Sequence, residues 1–177
     1  MLAPRKTLWS TPLSAVDQLQ NWISLQDNDK ICDIGCGDGR ILLEWAQRLS
    51  TQPVVPKVSF LGIDIDSSRV ELCKESHHQL ERSGKLHENI SIEFICGNAL
   101  ESSHYFHDAT IIFLYLIPRG LKLIHPILKQ HKLTLDQRPL HVVSYMSKLP
   151  DEKAHDRALL QVEHQPGAAW PLYYYIL

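Results

Sequence analysis

The apolar run Lys30–Ile34 breaks into a turn with three alternating glycines and then continues into an amphipathic helix. A short buried strand that turns through glycines into a helix is typical of an α/β sheet. The apolar residues of that helix share one face and comprise Ile41, Leu42, Trp45, Ala46 and Leu49. This segment therefore predicts a strand–turn–helix unit whose turn lies at the carboxyl end of the strand.

The same alternation of strand and helix continues along the chain. Further strands are predicted at Val58–Asp64, Ile90–Cys96, Thr110–Leu116 and Leu140–Met146. Helices are predicted from Leu13 to Ile23, at Arg40–Leu49, at Ser67–Arg82 with Ser67 as its cap, at Glu101–His107 and at Leu121–His131. Pro118 is expected to stop the fourth strand. Strands that alternate with helices imply right-handed crossovers and a mostly parallel sheet between two helical layers.

The end of the chain has a different pattern. Ala158–His164 and Trp170–Ile176 are strand-like, and Gln165-Pro166-Gly167 separates them without an intervening helix. Two strands joined by a short turn predict an antiparallel hairpin, so the sheet should have seven strands and end in that hairpin. The aromatic run Tyr173–Tyr175 is expected to lie in a buried edge strand.

Length and charge limit the classes of protein. A chain of 177 residues fits one domain, and we expect residues 1–177 to form it, with residues 1–26 as a helical extension that packs on the core. The formal net charge of −2 gives no electrostatic reason to expect nucleic acid as a partner. No apolar run approaches the ~20 residues that span a bilayer. The oligomeric state is left open.

The cysteines and the amino-terminal segment bear on the compartment. Four cysteines are too few for a disulfide framework, so we expect reduced thiols and a cytoplasmic protein. A mitochondrial presequence is the alternative, because Met1–Thr11 is basic and no acid precedes Asp17. Cys32 and Cys36 have no second pair at zinc-site spacing, and the histidines form no ligand motif, so no metal is expected.

The turn Asp33–Gly39 carries the first chemical signal. Alternating glycines let a ligand approach the backbone without meeting a Cβ atom. Asp33 and Asp38 place negative charge in the same turn, which favours a ligand with an ammonium or sulfonium group. The spacing Gly-x-Gly-x-Gly also differs from the Gly-x-Gly-x-x-Gly of dinucleotide-binding folds.

The next two strands end in residues that suit a nucleoside. Asp64 follows the second strand, where its two carboxylate oxygens can accept hydrogen bonds from ribose hydroxyls. The third strand ends at Cys96 and leads into Gly97-Asn98-Ala99, where the Asn98 amide can pair with an adenine edge. The carboxyl ends of neighbouring parallel strands lie side by side, so these groups predict one site.

These motifs, in this order, resemble motifs one to three of class I methyltransferases, which have a Rossmann-like three-layer fold and use S-adenosylmethionine. The resemblance covers nearly the whole chain, including the final hairpin. It implies that Gly35, Cys36 and Gly37 cradle the methionine part and that Asp33 orients the loop and binds its amino group. It further implies that Asp64 holds the ribose, Ile65 packs on adenine, and Asn98 and Ala99 meet the adenine edge. Many members have Asp where this chain has Asn98.

A narrower group is also similar to this chain. Thr11-Pro12, Asp33–Arg40, Asp108-Ala109-Thr110, Tyr115–Pro118, Val142–Tyr145 and Pro171–Tyr175 resemble segments of the lysine methyltransferases that act on the ATP synthase c subunit and the adenine nucleotide translocase. That resemblance implies transfer of a methyl group to a protein lysine. Those relatives carry a membrane anchor, and we expect no membrane span here.

The fourth strand end indicates the class of acceptor. Enzymes that methylate adenine or glutamine amides usually have Asn/Asp-Pro-Pro-Tyr/Phe here, whereas this chain has Tyr115, Leu116, Ile117 and Pro118. We expect Tyr115 to orient an amine in an apolar pocket formed by the other three residues. Such a pocket lowers the pKa of a lysine amine and so favours its nucleophilic form. No general base is evident.

Other functions remain open. They are a small-molecule methyltransferase, a non-catalytic cofactor-binding subunit of a methyltransferase complex, and a nucleotide-dependent oxidoreductase. The glycine spacing and the lack of a Tyr-x-x-x-Lys motif disfavour the oxidoreductase. The acceptor is expected to be a protein or a small molecule.

Overall fold

The computed structural model describes residues 10–135, 138–162 and 165–177, which form one seven-stranded sheet with helices on both faces. The strands are β1 Lys30–Ile34, β2 Val58–Asp64, β3 Ile90–Cys96, β4 Ile111–Leu114, β5 His141–Tyr145, β6 Asp156–Gln161 and β7 Ala169–Ile176. The helices are α1 Ser14–Trp22, α2 Arg40–Ser50, α3 Ser67–Arg82 and α4 Pro118–Lys132, with a short 3₁₀ helix at Ser103–Tyr105.

The strand order is β3-β2-β1-β4-β5-β7-β6, and only β7 runs antiparallel to its neighbours β5 and β6. The chain moves outward from β1 to β3 and then returns to the other side of β1 with β4. Open α/β sheets bind ligands where the strand order reverses in this way, at the carboxyl ends of the strands. The predicted α/β sheet with a terminal antiparallel hairpin is confirmed, and the glycine turn after β1 lies at the reversal point.

Two apolar cores make the protein three-layered. Side chains alternate along each strand, so one face packs against α1, α2 and α3, and the other packs against α4 and the residues that flank the 3₁₀ helix, among them Phe106 and Ala109. In β4, for example, Phe113 belongs to the first core, and Ile112 and Leu114 belong to the second. Covering both faces explains why the central strands are nearly continuous apolar runs.

Several element boundaries differ from the sequence predictions. The cap of α3 is Asp66 rather than Ser67, because the Asp66 carboxylate accepts hydrogen bonds from the N–H groups of Ser68 and Arg69. The fourth strand is shorter than predicted and ends at Leu114. Pro118 begins α4 instead of merely stopping a strand, because proline suits the first helical turn, where its missing N–H needs no partner. The predicted helix Glu101–His107 is only the 3₁₀ turn.

The aromatic strand β7 was expected at the edge of the sheet, and this was wrong. It lies between β5 and β6, and β6 is the edge strand. Tyr173, Tyr174 and Tyr175 are buried as expected, because both faces of β7 are covered by core residues.

Helix α1 packs against α2 and β6 through Ala15, Val16 and Leu19, which are fully buried. Trp22 at its end stacks on Tyr174, with ring centroids 5.5 Å apart. The predicted helical extension thus covers the sheet near its antiparallel end; residues 1–9 of that segment lie outside the described residues.

Candidate functional site

The glycine turn is held against the end of β2 by backbone hydrogen bonds. The N–H groups of Gly35 and Cys36 donate to the carbonyl oxygen of Ile63 at 2.8 and 3.1 Å. Gly35, Gly37 and Gly39 have φ angles of 83°, 59° and 72°. Side chains other than glycine rarely adopt this left-handed region, so the alternating glycines are required by the turn itself.

The glycines also serve packing. A Cβ atom on Gly35 would lie 3.2 Å from Cδ2 of Leu116, and one on Gly39 would lie 2.9 Å from Cε1 of Phe94 and 3.0 Å from Sγ of Cys73. We expected the whole turn to leave room for a ligand. At Gly39 the space is instead filled by Phe94, which lets α2 begin close to β3.

Asp64 connects all three strand ends. Its Oδ2 accepts a hydrogen bond from Gly37 N–H at 2.8 Å, and its Oδ1 accepts one from Asp66 N–H at 2.9 Å. Its main-chain oxygen accepts from Gly97 N–H at 2.8 Å. Each carboxylate oxygen thus already has one donor and keeps one further lone pair for a ligand hydroxyl. Asp64 therefore also fixes the glycine turn, a role that its position in sequence did not indicate.

Asp33 lies buried at the end of β1, with 3% of its surface exposed. Burial, followed by the neighbouring charges of Asp64 and Asp38, raises the pKa of Asp33 well above its usual range. Among the ion pairs of the described residues, none involves Asp33 or Asp64. The site therefore concentrates unbalanced negative charge beside a glycine turn, which fits a ligand with a positive centre.

We expected Asp38 to add to this negative charge, but its charge is balanced by Arg40. Its carboxylate pairs with Arg40, with Oδ2 2.8 Å from Nε and 2.7 Å from Nη2, and Ser10 Oγ donates to it at 3.4 Å. The preference for a cation thus falls on the two buried aspartates.

Two thiols lie under the glycine turn. Cys73 of α3 donates from Sγ to the carbonyl oxygen of Gly37 at 3.3 Å. A hydrogen bond with Cys73, reinforced by burial, raises the pKa of the Cys36 thiol. All four cysteines are free, as predicted, and these two serve to pack the turn rather than to react.

The adenine-side residues occupy the ends of β2 and β3. Ile65 is partly exposed in the β2–α3 connection, and Ala99 packs against the second core. The Asn98 Nδ2 donates to Glu101 Oε1 at 2.8 Å, and its Oδ1 accepts from Leu100 N–H at 3.2 Å. The Asn98 amide is thus turned toward its own loop, and its predicted adenine contact stays a prediction.

The fourth strand leads into the predicted acceptor pocket. The Tyr115 hydroxyl contacts Sδ of Met146 at 3.1 Å, and its ring meets that of Tyr145 edge to face at 5.0 Å. Burial raises the pKa of Tyr145 to about 12, so its hydroxyl stays protonated at neutral pH. Ile117 is 39% exposed beside the buried Leu114, so apolar surface remains available at this edge.

Sequence reasoning missed Trp170 of β7, which lies at the same edge. Among the described residues, its Nε1 is the only buried side-chain nitrogen or oxygen without a hydrogen-bond partner. An unpaired buried donor costs about 1–3 kcal/mol. The sequence did not indicate that Trp170 lies close to Met146, because the two residues are 24 positions apart and only the pairing of β7 with β5 brings them together.

One histidine cluster arises on α3 that the sequence spacing did not indicate. Ligand atoms of His77, His78 and Glu81 lie within 4.8 Å of one another. Glu81 faces both rings, at 3.5 Å from His77 Nε2 and 3.2 Å from His78 Nδ1. Contacts of the Glu81 carboxylate with the two imidazole rings account for the cluster, and the expectation of no metal stays a prediction.

A cavity of about 600 Å³ lies at the opposite end of the sheet. Its lining includes Asp27, Pro56 and Asn89, which precede β1, β2 and β3 respectively. Ligands of such sheets bind at the carboxyl ends, so this cavity is separate from the candidate site.

None of the helices in the described part of the chain is long and apolar enough to cross a bilayer.

A family model described as a methyltransferase domain matches residues 25–112. The matched range runs from before β1 to the start of β4 and so contains the glycine turn, Asp64 and Asn98. A protein-lysine N-methyltransferase from Saccharolobus islandicus is 23% identical over 120 residues. The match covers 68% of this chain and 66% of that relative, which is just under two thirds of its length.

Solved structures share the fold over almost the whole chain. An RNA methyltransferase from Salinibacter ruber, in complex with S-adenosylhomocysteine, has a TM-score of 0.68 at 21% identity, covering 95% of this chain and 93% of the other. An rRNA methyltransferase from Streptomyces viridochromogenes has a TM-score of 0.63 at 11% identity, covering 99% and 88%.

These comparisons and the site agree. Two buried carboxylates without a cation, beside a glycine turn, fit the positively charged sulfur and amino group of S-adenosylmethionine, and the comparisons support it as the cofactor. The narrower likeness to the ATP synthase c-subunit and translocase enzymes is not established by these matches. Residues 25–112 match a methyltransferase domain, and the whole described chain has the fold of methyltransferases of known structure.

Proposed function

We propose that this protein is an S-adenosylmethionine-dependent methyltransferase that transfers a methyl group to the side-chain amine of a protein lysine. The observation that carries the proposal is the fourth strand end, where Tyr115 is followed by Leu116, Ile117 and Pro118. This segment offers no amide or carboxylate to hold the N–H groups of a base or an amide. The similarity to a protein-lysine N-methyltransferase points the same way.

On this proposal the cofactor spans the ends of β1, β2 and β3. The turn residues Gly35, Cys36 and Gly37 hold the methionine part, and Asp33 binds its amino group. Asp64 uses its remaining lone pairs for the ribose hydroxyls. The adenine is held by Ile65, Asn98 and Ala99.

The acceptor pocket has to orient the amine and exclude water from it. When bound, S-adenosylmethionine supplies an activated methyl group that an amine lone pair can take up by direct displacement. Tyr115 positions the amine, and the apolar side chains of Leu116, Ile117 and Pro118 exclude water. Exclusion of water lowers the pKa of a lysine amine and so raises its nucleophilic fraction. Holding the reacting groups in line then contributes most of the acceleration.

The test is transfer of a radiolabelled methyl group from S-adenosylmethionine to a lysate of cells that lack this gene. We expect label in protein, and mass spectrometry should place it on lysine. Label only in the small-molecule fraction or in RNA would overturn the lysine proposal. The RNA fraction must be counted as well, because two structures with this fold are RNA methyltransferases.

A matched pair of variants tests the pocket. Tyr115→Phe removes the hydroxyl but keeps the ring against Tyr145, and we expect turnover to fall roughly tenfold with cofactor affinity unchanged. Tyr105→Phe is the control, because Tyr105 is 40% exposed on the 3₁₀ helix and should have normal turnover. Equal turnover in both variants would remove Tyr115 from the proposal.

A further inference from the structure

Three aromatic side chains lie on one face of the sheet, at the carboxyl ends of β4 and β5 and at the amino-terminal end of the antiparallel β7. Tyr115, Tyr145 and Trp170 all pack with the core that faces α1, because alternate residues of each strand point to the same side. Tyr145 pairs with Leu172 across β5 and β7, and Trp170 is two residues nearer the edge. The three rings therefore share one face of the sheet, where the buried Tyr145 supports the partly exposed rings of Tyr115 and Trp170.

The strand pairing fixes Trp170 at this edge. Met146 N–H donates to the carbonyl oxygen of Pro171 at 2.7 Å, which continues the β5–β7 pairing beyond Tyr145. The Met146 side chain in turn contacts the Tyr115 hydroxyl at 3.1 Å. Met146 thus connects Tyr115 to Pro171, the residue next to Trp170 in β7.

The indole N–H of Trp170 has no acceptor among the described residues. Buried donors in native proteins are nearly always paired, and an exception calls for a reason. The other tryptophan of this core near β7, Trp22, stacks on Tyr174 away from this edge. The unpaired donor therefore lies at the sheet edge where the proposed function places the acceptor.

We propose that Trp170 is a substrate-binding residue of the acceptor site. Its indole N–H donates a hydrogen bond to a main-chain carbonyl oxygen of the lysine-bearing segment, and the Trp170 and Tyr115 rings contact the alkylamine. Ring faces attract an alkylammonium, so the same surface suits an amine that already carries a methyl group. Because the N–H is buried in the free protein, the contact forms when the incoming segment displaces a neighbouring side chain. This inference rests on the proposed lysine methylation.

The test uses Trp170→Phe, which removes the N–H and keeps an aromatic ring, and Trp170→Leu, which removes both. Trp22→Phe is the matched control away from the edge. The acceptor is the lysine-bearing protein labelled in the lysate assay. We expect Trp170→Phe to raise its KM about fivefold to tenfold, with affinity for S-adenosylhomocysteine unchanged. Trp170→Leu should raise KM further and lower the share of dimethyl and trimethyl product.

A stability measurement separates binding from a merely structural role. Removing an unpaired donor should leave the thermal midpoint of Trp170→Phe equal to the wild type or higher. An unchanged KM in a folded Trp170→Phe variant would overturn the inference. A rise in KM that is accompanied by lower stability and weaker cofactor binding would also overturn it, because it would indicate a structural role. If the wild type labels no protein at all, the lysine proposal itself fails, which is a distinguishable result.

Discussion

Gly62 of β2 is a glycine because Phe94 of β3 occupies the space where a side chain would be. A Cβ atom there would lie 2.4 Å from Cδ1 and 2.6 Å from Cε1 of Phe94, and 3.0 Å from Sγ of Cys36. Carbon atoms in contact are about 3.5–4.0 Å apart, so Gly62→Ala must push the ring back by about 1 Å. Phe94 is 4% exposed and His77 packs edge-on against its ring, so the ring has little room to retreat.

Overpacking of this kind costs about 1–3 kcal/mol. For a chain of this length, about 2 kcal/mol corresponds to a fall of roughly 4–8 °C in the thermal midpoint. The displacement should also reach the glycine turn through Cys36 and weaken the binding of S-adenosylhomocysteine. Thermal unfolding followed by circular dichroism, with a binding titration, measures both effects.

Two controls make the result decisive. Gly97→Ala should unfold near the wild-type midpoint, because its Cβ would meet only Ser102 Oγ at an ordinary 3.5 Å. Phe94→Leu should relieve the contact, so the double variant with Gly62→Ala should be more stable than the sum of the single effects. If Gly62→Ala unfolds at the wild-type temperature, or if the two changes are additive, the packing explanation is refuted.

Three further predictions concern charge. Asp64→Asn should weaken S-adenosylhomocysteine binding about tenfold or more in a titration, because the hydrogen bond from Gly37 and the ribose contact both lose a charged acceptor; unchanged affinity would contradict the assignment. Asp33 has a raised pKa in the folded protein. Its contribution to the free energy of unfolding is therefore fully present at a pH below its ordinary pKa of 3.8, and it is lost as the pH rises through the pKa of the folded state. Denaturant unfolding at several pH values should therefore show Asp33→Asn gaining stability over the cofactor-free wild type toward neutral pH, and parallel pH profiles would contradict this. A hydrogen bond from Lys129 lowers the pKa of Glu152, so the contribution of Glu152 to the free energy of unfolding is present at neutral pH and lost on acidification. Glu152→Gln should therefore cost less than about 1 kcal/mol at pH 7, because Lys129 is exposed. The variant should cost nothing at a pH where Glu152 is protonated.

Much of the fold was predictable because its signals are local. The bounds of β1, β2, β3 and α3 were predicted residue for residue, since apolar periodicity and the glycine turn mark where each element ends. The predicted start of α4 was wrong because Pro118 is read equally well as the end of a strand and as the first residue of a helix.

The candidate site was only partly predictable. The glycine turn and Asp64 stand at strand ends, and parallel pairing brings strand ends together, so their proximity follows from sequence. The pairing of Asp38 with Arg40 and the filling of Gly39 by Phe94 depend on side-chain directions and on contacts between distant segments. The unpaired N–H of Trp170 likewise follows only from the complete packing of the antiparallel end.

The most direct measurement is a crystal structure of the protein soaked with S-adenosylhomocysteine. We expect the ligand at the carboxyl ends of β1, β2 and β3, with its amino group near Asp33 and its ribose hydroxyls on Asp64. Density for the ligand in the cavity beside Asn89 at the opposite end of the sheet, or no ligand density at the ends of β1, β2 and β3 at saturating concentration, would contradict this assignment.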